Sequence, residues 1–222
     1  MQIESHSSNI IKKPWGYEYL VYEDATIAIW FLYIAYGEKT SLHSHPSKTT
    51  GLIVLDGKAE INFFTDCKVL SKLDKIMIRK GLFHSTKSIS ETGTMLFEIE
   101  TPNNKLDLVR LDDAYGRKGK PYEDSSFEYP KKNDCLWIEN QNFNEEFSFA
   151  NCKITKKHIK STSELYHLKD NIKLMFLEGG IITEYDVPII CPGDIITIEI
   201  YKKLSQVFKK VKDETILLIF EE

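Results

Sequence analysis

Several signals that identify large classes of protein are missing from this sequence of 222 residues. No apolar run approaches the roughly 20 residues that a membrane-spanning helix needs. The amino-terminal stretch MQIESHSSNIIKK also lacks the long apolar core of a secretory signal. We therefore expect a cytoplasmic protein with no membrane partner.

A surplus of positive charge is missing as well. The 29 Lys and Arg residues are scattered among 33 Asp and Glu residues, and the formal net charge is −4. A nucleic-acid-binding protein needs basic residues concentrated on one face. The charge pattern therefore argues against a nucleic-acid partner.

Cysteine is scarce and shows no metal-ligand spacing. The four cysteines contain no C-x-x-C pair; they are Cys67, Cys135, Cys152 and Cys191. In a chain without an export signal we expect them to be reduced and mostly buried, as small hydrophobic side chains. They predict neither a disulfide nor a structural zinc site.

What the sequence does contain is a series of short β-type segments. Val, Ile, Tyr, Phe and Trp dominate YEYLVYE, TIAIWFLYIAY, GLIVLDG, KAEINFF, KIMIRK and TMLFEIE. Short β-rich segments separated by turn-forming residues predict a sandwich or a barrel. Because no clear helical period precedes residue 105, we expect an all-β fold.

The composition changes after this block. Residues 106–133 are charged and rich in Gly, Pro and Ser. They allow a helical turn at 106–113 and then an irregular linker, which we place at 118–133. A second β-rich block follows, from CLWIEN to TILLIFEE. The sequence therefore predicts a first domain at 1–117 and a second at 134–222.

The second block resembles an eroded copy of the first. TSELYH aligns with TSLHSH and LMFLEG with LIVLDG at one constant offset, and GDIITI then follows in the place of LDKIMI. In this alignment Leu165 and Leu204 take the places of His43 and His84. We therefore expect two tandem domains of one type, of which the second is degenerate, cannot hold a metal in this way and has a structural role.

Three of the six histidines stand at the ends of neighbouring β-type segments. In an extended strand residues i and i+2 face the same side, so His43 and His45 should point to one place. Imidazole is a common ligand for Zn, Mn, Fe and Ni, and a third donor is needed to close a site. His84, which follows a turn at Gly81, is the expected supplier. The alternative is a set of surface or hydrogen-bonded strand histidines without a metal.

These motifs resemble those of a known family. GEKTSLHSHPSKTTGLIVLDG followed by GLFH is similar to the two cupin motifs. The flanking KPWGYEYLVYE and DLVRLDDAYGR resemble, more narrowly, the cupin domain of type II mannose-6-phosphate isomerases. The resemblance covers about residues 12–118. It implies a cupin double-stranded β-helix barrel in which His43, His45 and His84 hold a divalent metal ion.

The resemblance also implies residues that act at the substrate, and one position departs from the family. Lys48 and Arg117 match basic positions of the family, although each can also be an ordinary surface charge. Thr50 replaces the motif glutamate, and a neutral hydroxyl is a poor ligand. Water, Glu98 or Glu100 can fill the fourth metal position. The two glutamates share one face of the FEIE strand, and the alternative for them is the solvated face of an edge strand.

The resemblance favours a metal-dependent sugar or sugar-phosphate isomerase or epimerase in carbohydrate or surface-polysaccharide precursor metabolism. The metal would polarise the substrate oxygens, and Glu98 or Glu100 would act as the base. Lys48 and Arg117 would bind a phosphate or carboxylate group, so a sugar phosphate or a nucleotide sugar is the expected substrate.

Two other functions stay open at this point. One is a non-catalytic sugar-binding cupin, and the other is a three-histidine iron dioxygenase, which Thr50 favours. Barrels of this type expose edge strands, and pairing across a two-fold axis covers them, so we expect a homodimer.

Overall fold

The computed structural model describes residues 9–117, 126–127, 130, 134–140 and 143–222. The chain separates into two compact units, Met1–Asn140 (unit 1) and Gln141–Glu222 (unit 2). Most of the predicted linker at 118–133 lies outside the described residues, and the predicted domain boundaries stay predictions.

Unit 1 consists of short strands, as the sequence predicts. They are β1 (Ile10–Lys13), β2 (Gly16–Glu23), β3 (Ala28–Ile34), β4 (Leu42–Ser44), β5 (Thr49–Asp56), β6 (Ala59–Asn62), β7 (Cys67–Leu70), β8 (Lys75–Ile78), β9 (Ser85–Ser88), β10 (Thr94–Thr101), β11 (Val109–Asp112) and β12 (Ser126–Phe127). β-Branched and aromatic residues fill most of them, and these side chains favour an extended backbone because they pack well on a pleated surface.

The strands of unit 1 form two antiparallel layers. The larger sheet has the order β12-β1-β2-β3-β10-β5-β8. The opposite layer contains the sheet β7-β6-β9 and the pair β11-β4. Isolated bridges between Lys39 and Lys87 and between His43 and His84 join that pair to β9. The second layer is therefore nearly continuous across the region where the histidines lie.

One hydrophobic core lies between the two layers. It combines Trp30 and Leu32 of β3 and Leu52 of β5 with Ala59 and Ile61 of β6. The residues between these positions on β3 and β5 are buried as well, so the large sheet is covered on both faces. This explains why its strands are nearly continuous apolar segments rather than alternating ones.

The turn between β5 and β6 requires glycine. Gly57 has φ +79°, and a Cβ atom there would lie 2.4 Å from the carbonyl oxygen of Gly93. Only a residue without a side chain fits such a conformation and such an approach. The Asp56-Gly57 turn thereby fixes where β5 ends and where the chain crosses to the opposite layer.

The segment of residues 102–117 differs from its prediction. The sequence allows a helical turn at 106–113, but β11 (Val109–Asp112) is a strand that pairs with β4. The reason is tertiary: the edge of β4 offers unpaired backbone groups, and pairing with them outweighs a weak local helical preference. The 102–117 segment therefore runs beside the strand that carries His43.

Unit 2 contains a five-stranded antiparallel sheet, a pair of short strands and one α-helix among its described residues. The sheet has the order β13-β14-β19-β15-β17, and β16 pairs with β18. The elements are β13 (Glu145–Phe149), β14 (Cys152–Ile159), β15 (Lys173–Glu178), β16 (Ile181–Ile182), β17 (Ile195–Thr197), α1 (Ile198–Val207), β18 (Lys210–Val211) and β19 (Thr215–Glu221).

Helix α1 is not anticipated by the sequence analysis. The Thr197 side chain accepts a hydrogen bond from the backbone N–H of Ile200 and so caps the helix, while Ile198 and Tyr201 are buried. Leu204, which aligns with His84 in the sequence, lies in this helix. Within the described part of the chain, no helix is long and apolar enough to cross a membrane.

Part of the sequence repeat has a counterpart in strand register. Leu174 of β15 lies opposite Ile196 of β17, just as Leu52 of β5 lies opposite Ile76 of β8. The TSELYH stretch does not match its counterpart in unit 1, because Thr162–Leu165 forms a 3₁₀ turn instead of a strand. The degenerate second cupin domain stays a prediction.

Candidate metal centre

Backbone pairing brings the three predicted metal-ligating histidines together. The N–H of His43 donates to the carbonyl of His84 at 3.0 Å, and the N–H of His84 donates back at 2.8 Å. His45 lies two residues after His43 and faces the same side. The ring centroids are 4.5 Å apart for His43 and His84, 4.9 Å for His43 and His45, and 5.7 Å for His45 and His84. One ligand atom of each residue lies within 4.8 Å of the other two.

Backbone carbonyls fix the tautomer of all three rings. The Nδ1 atoms of His43, His45 and His84 lie 2.7, 2.6 and 3.1 Å from the carbonyl oxygens of Ser41, Asp107 and Leu82. Because a carbonyl oxygen can only accept, each Nδ1 carries the proton, and each Nε2 keeps its lone pair. The Nε2 atom of His45 is buried and has no hydrogen-bond partner.

Burial keeps the three imidazoles neutral. Desolvation lowers the pKa of His43 well below its usual value, and the neighbouring His84 and His45 lower it further. Desolvation, followed by the charge of Lys48, lowers the pKa of His45 to about 2. The pKa of His84 is lowered mainly by burial. A neutral imidazole is the form that binds a metal ion.

Two carboxylates border the same place. Glu98 and Glu100 lie on β10, which pairs with β3 on one side and β5 on the other, so they are not on an edge strand. Glu98 Oε1 lies 3.8 Å from His45 Nε2. Donor atoms of His45, Glu98 and Glu100 also lie within 4.8 Å of one another. Burial, followed by the charge of Glu100, raises the pKa of Glu98 to about 7.

Lys48 is a buried ion-pair partner of Glu100. Its Nζ atom lies 2.6 Å from Glu100 Oε1, and the two side chains are 1% and 2% exposed. The ammonium also donates to the carbonyl of Asn104 at 3.1 Å. The predicted alternative of an ordinary surface charge therefore does not hold for Lys48, which lies inside the barrel beside a carboxylate.

Thr50 lies directly across the ladder from Glu100. The register pairs Glu100 with Thr50 and Glu98 with Leu52, and residues opposite each other in a ladder share a face. The hydroxyl of Thr50 is buried without a hydrogen-bond partner. The barrel thus lacks a carboxylate at position 50 but has two on the adjacent strand, on the same face.

The sequence analysis misses a second buried ion pair. Lys105 Nζ lies 3.3 Å from Glu18 Oε1 and 3.9 Å from Glu100 Oε1, and it lies over the Trp30 ring at 3.7 Å. Burial lowers the pKa of Lys105, but Glu18 and Glu100 outweigh it and leave the pKa raised. No local signal marks these residues, because Lys105 is in an irregular segment and Glu18 is in a strand far away in sequence.

Asp107 is a further residue that the sequence analysis misses. Its carbonyl accepts the Nδ1 proton of His45, and its carboxylate accepts the backbone N–H groups of Ser47 and Lys48 at 2.8 and 3.0 Å. The 102–117 segment therefore orients one of the three histidines. The polar run NNKLD could have indicated a capping role, but nothing in the sequence assigns it to His45.

Arg117 lies at the cavity, in a bidentate pair with Asp113. The shortest contact is 2.6 Å, from Arg117 Nη2 to Asp113 Oδ1, and Arg117 is 7% exposed. Burial raises the pKa of Asp113, but the hydrogen bonds from Arg117 outweigh it, and the pKa is lowered. The Arg117 charge is thus held in place by a carboxylate before any substrate binds.

These groups line one cavity. Its lining includes every predicted site residue except His84, namely His43, His45, Lys48, Glu98, Glu100 and Arg117. Three neutral imidazoles with one ligand atom each within 4.8 Å of the others fit a divalent transition metal ion, and a carboxylate beside them adds a further donor. The residues present could therefore hold such an ion, while its identity stays open.

The chain was compared with known proteins. No protein-family model and no curated protein sequence matches it. Among solved structures it is similar to KdgF from Halomonas sp., with 13% identity over 43% of this chain and 89% of that chain and a TM-score of 0.41. It is also similar to an RmlC-like cupin from Shewanella frigidimarina, with 17% identity over 46% of this chain and 89% of that one and a TM-score of 0.40. A putative sugar phosphate isomerase from Acidithiobacillus ferrooxidans has 19% identity over 34% of this chain and 50% of its own, with a TM-score of 0.32.

The fold of unit 1 follows from its own topology. Two antiparallel layers enclose one core. A backbone bridge within the second layer brings His43 of the first motif next to His84 of the second. Unit 1 is therefore a cupin-type barrel, as the sequence predicts.

Proposed function

We propose that unit 1 is a metal-dependent isomerase or epimerase that acts on a sugar or a sugar phosphate, as the resemblance to type II mannose-6-phosphate isomerases implies. The observation that supports it best is the combination of three histidines, whose ligand atoms lie within 4.8 Å of one another, with two carboxylates in the same cavity. Isomerisation and epimerisation both move a proton at a carbon next to a carbonyl. That chemistry needs an electrophile for the oxygen and a base for the proton.

The histidines and the carboxylates divide this work. His43, His45 and His84 would hold the ion, which, when bound, polarises the substrate oxygens. Glu98 and Glu100 are the carboxylates within the cavity that can take up the proton. Lys48 donates to Glu100 and would hold that carboxylate in place beside the substrate.

Two cationic side chains would orient the substrate. Arg117, held by Asp113, and Lys105, held between Glu18 and Glu100, both line the cavity. A guanidinium matches the geometry of a phosphate or a carboxylate. The proposed substrate is therefore a sugar with an anionic group, such as a sugar phosphate or a nucleotide sugar.

The test is proton exchange in deuterated water. Purified protein loaded with Mn²⁺, Fe²⁺, Ni²⁺ or Zn²⁺ is incubated with a panel of aldoses, ketoses, their phosphates and nucleotide sugars, and the sugars are followed by proton NMR. We expect at least one sugar to lose the proton next to its carbonyl and to form an isomer or epimer. Chelator-treated protein should be inactive. Full metal loading without exchange on any sugar would contradict the proposal.

Thr50 favours one other reaction class. A three-histidine site without the motif glutamate resembles the site of thiol dioxygenases, so oxygen consumption by the iron-loaded protein with small thiols is the matching measurement. The presence of Glu98 and Glu100 beside the histidines weighs against this alternative. Saturable sugar binding without turnover would instead support a non-catalytic sugar-binding cupin.

A further inference from the structure

We propose that Glu98 is the fourth protein ligand of the metal ion, in place of the glutamate that the cupin motif would have at position 50. This inference rests on the metal-dependent function proposed above. It also separates the roles of the two cavity carboxylates: Glu98 binds the ion, and Glu100 is left to carry the proton.

The first argument is distance. Imidazole nitrogens and carboxylate oxygens bind zinc and similar ions at about 2.0–2.2 Å, so two donors on one ion lie at most about 4.3 Å apart. Glu98 Oε1 is 3.8 Å from His45 Nε2, and that nitrogen has no hydrogen-bond partner. A single ion can therefore touch both atoms, and His45 belongs both to the three-histidine group and to the group that it forms with Glu98 and Glu100.

The second argument is charge. Glu100 has a close cationic partner in Lys48 at 2.6 Å and a second in Lys105 at 3.9 Å. In the described part of the chain, the one ion-pair partner of Glu98 is His45, which is neutral when it acts as a ligand. The Glu98 side chain is 12% exposed and lies beside Glu100, so a nearby cation would stabilise its charged form. An ion at the histidine cluster would supply that charge.

The third argument is position on the sheet. Glu98 and Glu100 project from β10 onto the same face as Thr50 and Leu52 of β5, which lie directly opposite them. The carboxylate that the motif would place on β5 can therefore be supplied from the neighbouring strand. Because Lys48 already holds Glu100, Glu98 is the carboxylate that remains for the ion.

The experiment measures Co²⁺ binding to the full chain, by competition with a chelator and by the visible absorption of the bound ion. The test variant is Glu98→Gln, and the matched control is Glu100→Gln, on the same strand and the same face. Loss of a residue that only supports a ligand lowers metal affinity by roughly 10–100-fold. We expect E98Q to lower the affinity for Co²⁺ by more than this and to change the absorption band of the bound ion. E100Q should keep its affinity within about 10-fold and keep the wild-type band.

Two further variants make the outcome decisive. If E98Q does not fold, Glu98→Leu replaces it, since the cross-strand neighbours of Glu98 are the apolar Trp30 and Leu52. Wild-type affinity and an unchanged band in the folded variant would overturn the ligand role of Glu98. His84→Ala tests the metal site itself: if it binds Co²⁺ like the wild type, the proposed function fails, whatever the result for Glu98.

Discussion

The three histidines of the barrel differ from ordinary buried histidines in the partner of Nδ1. Each Nδ1 donates to a carbonyl of its own surroundings, at Ser41, Asp107 and Leu82. In His45 the second nitrogen, Nε2, is buried without a hydrogen-bond partner, as a nitrogen kept for a metal ion would be. Three hydrogen bonds to backbone carbonyls, two of them local and one from Asp107, therefore orient the three rings.

Removal of one imidazole should remove the metal. We expect His84→Ala to carry at most a small fraction of the ion found in the wild type, because two nitrogens do not close a site. His167→Ala is the matched control, since His167 is exposed in unit 2. Elemental analysis of the purified proteins is the measurement, and equal metal content in both variants would contradict the assignment.

The Lys48–Glu100 pair should matter for stability as well. Lys48→Met leaves the Glu100 carboxylate buried without its 2.6 Å partner. Loss of one member of a buried pair costs about 3–5 kcal/mol. We expect the lower end, since Lys105 Nζ stays 3.9 Å from Glu100.

Urea unfolding of the single and double variants measures this cost. The double variant K48M/E100Q should recover a large part of the loss, because it has no unpaired charge. Costs that simply add would show that the two side chains do not stabilise each other.

At the scale of elements, the tight turn between β5 and β6 holds the two layers in register. Gly57→Ala should destabilise unit 1 by about 1–3 kcal/mol, since it adds a clash to a positive φ. Gly37→Ala is the matched control: Gly37 has φ +77°, but nothing lies within 4 Å of its added Cβ. Thermal unfolding measures the stability of both variants. If the two variants lose the same stability, close approach to Gly93 is not what requires glycine at position 57.

The same scale shows which features the sequence can predict. The spacing of His43 and His45 predicts their shared face because the rule for extended strands is local, and the shared face of Glu98 and Glu100 follows from the same rule. The central place of β10 depends on pairing with β3 and β5, which are far away in sequence. Local patterns therefore leave open whether this face is solvated or buried, and only the sheet order decides it.

Local sequence patterns do not predict helix α1 or the contacts of the 102–117 segment, and the reasons are related. ITIEIYKK is rich in β-branched residues, so its local preference is for a strand, whereas capping by Thr197 and burial of Tyr201 stabilise a helix. In the 102–117 segment, the roles of Lys105 and Asp107 come from contacts with residues more than fifty positions away. No periodic pattern encodes such contacts.

At the scale of the whole molecule, metal binding should raise stability, because an ion that binds only the folded barrel shifts the folding equilibrium. At a free ion concentration of 100 times the dissociation constant the gain is about 2.7 kcal/mol. For a domain of this size, such a gain in the free energy of unfolding raises Tm by on the order of 5–10 °C. Scanning calorimetry with metal and with chelator measures the shift, and H84A should abolish it. A shift of the same size in H84A would mean that the ion binds elsewhere.

The 102–117 segment also limits how the barrel can be redesigned. Asp107 holds His45 through its carbonyl and anchors the backbone of Ser47 and Lys48 through its carboxylate, while Lys105 and Arg117 reach the cavity from the same stretch. Under the proposed function, shortening this stretch to admit a bulkier substrate would also disturb the orientation of His45. Substrate range and metal binding are therefore coupled through this segment.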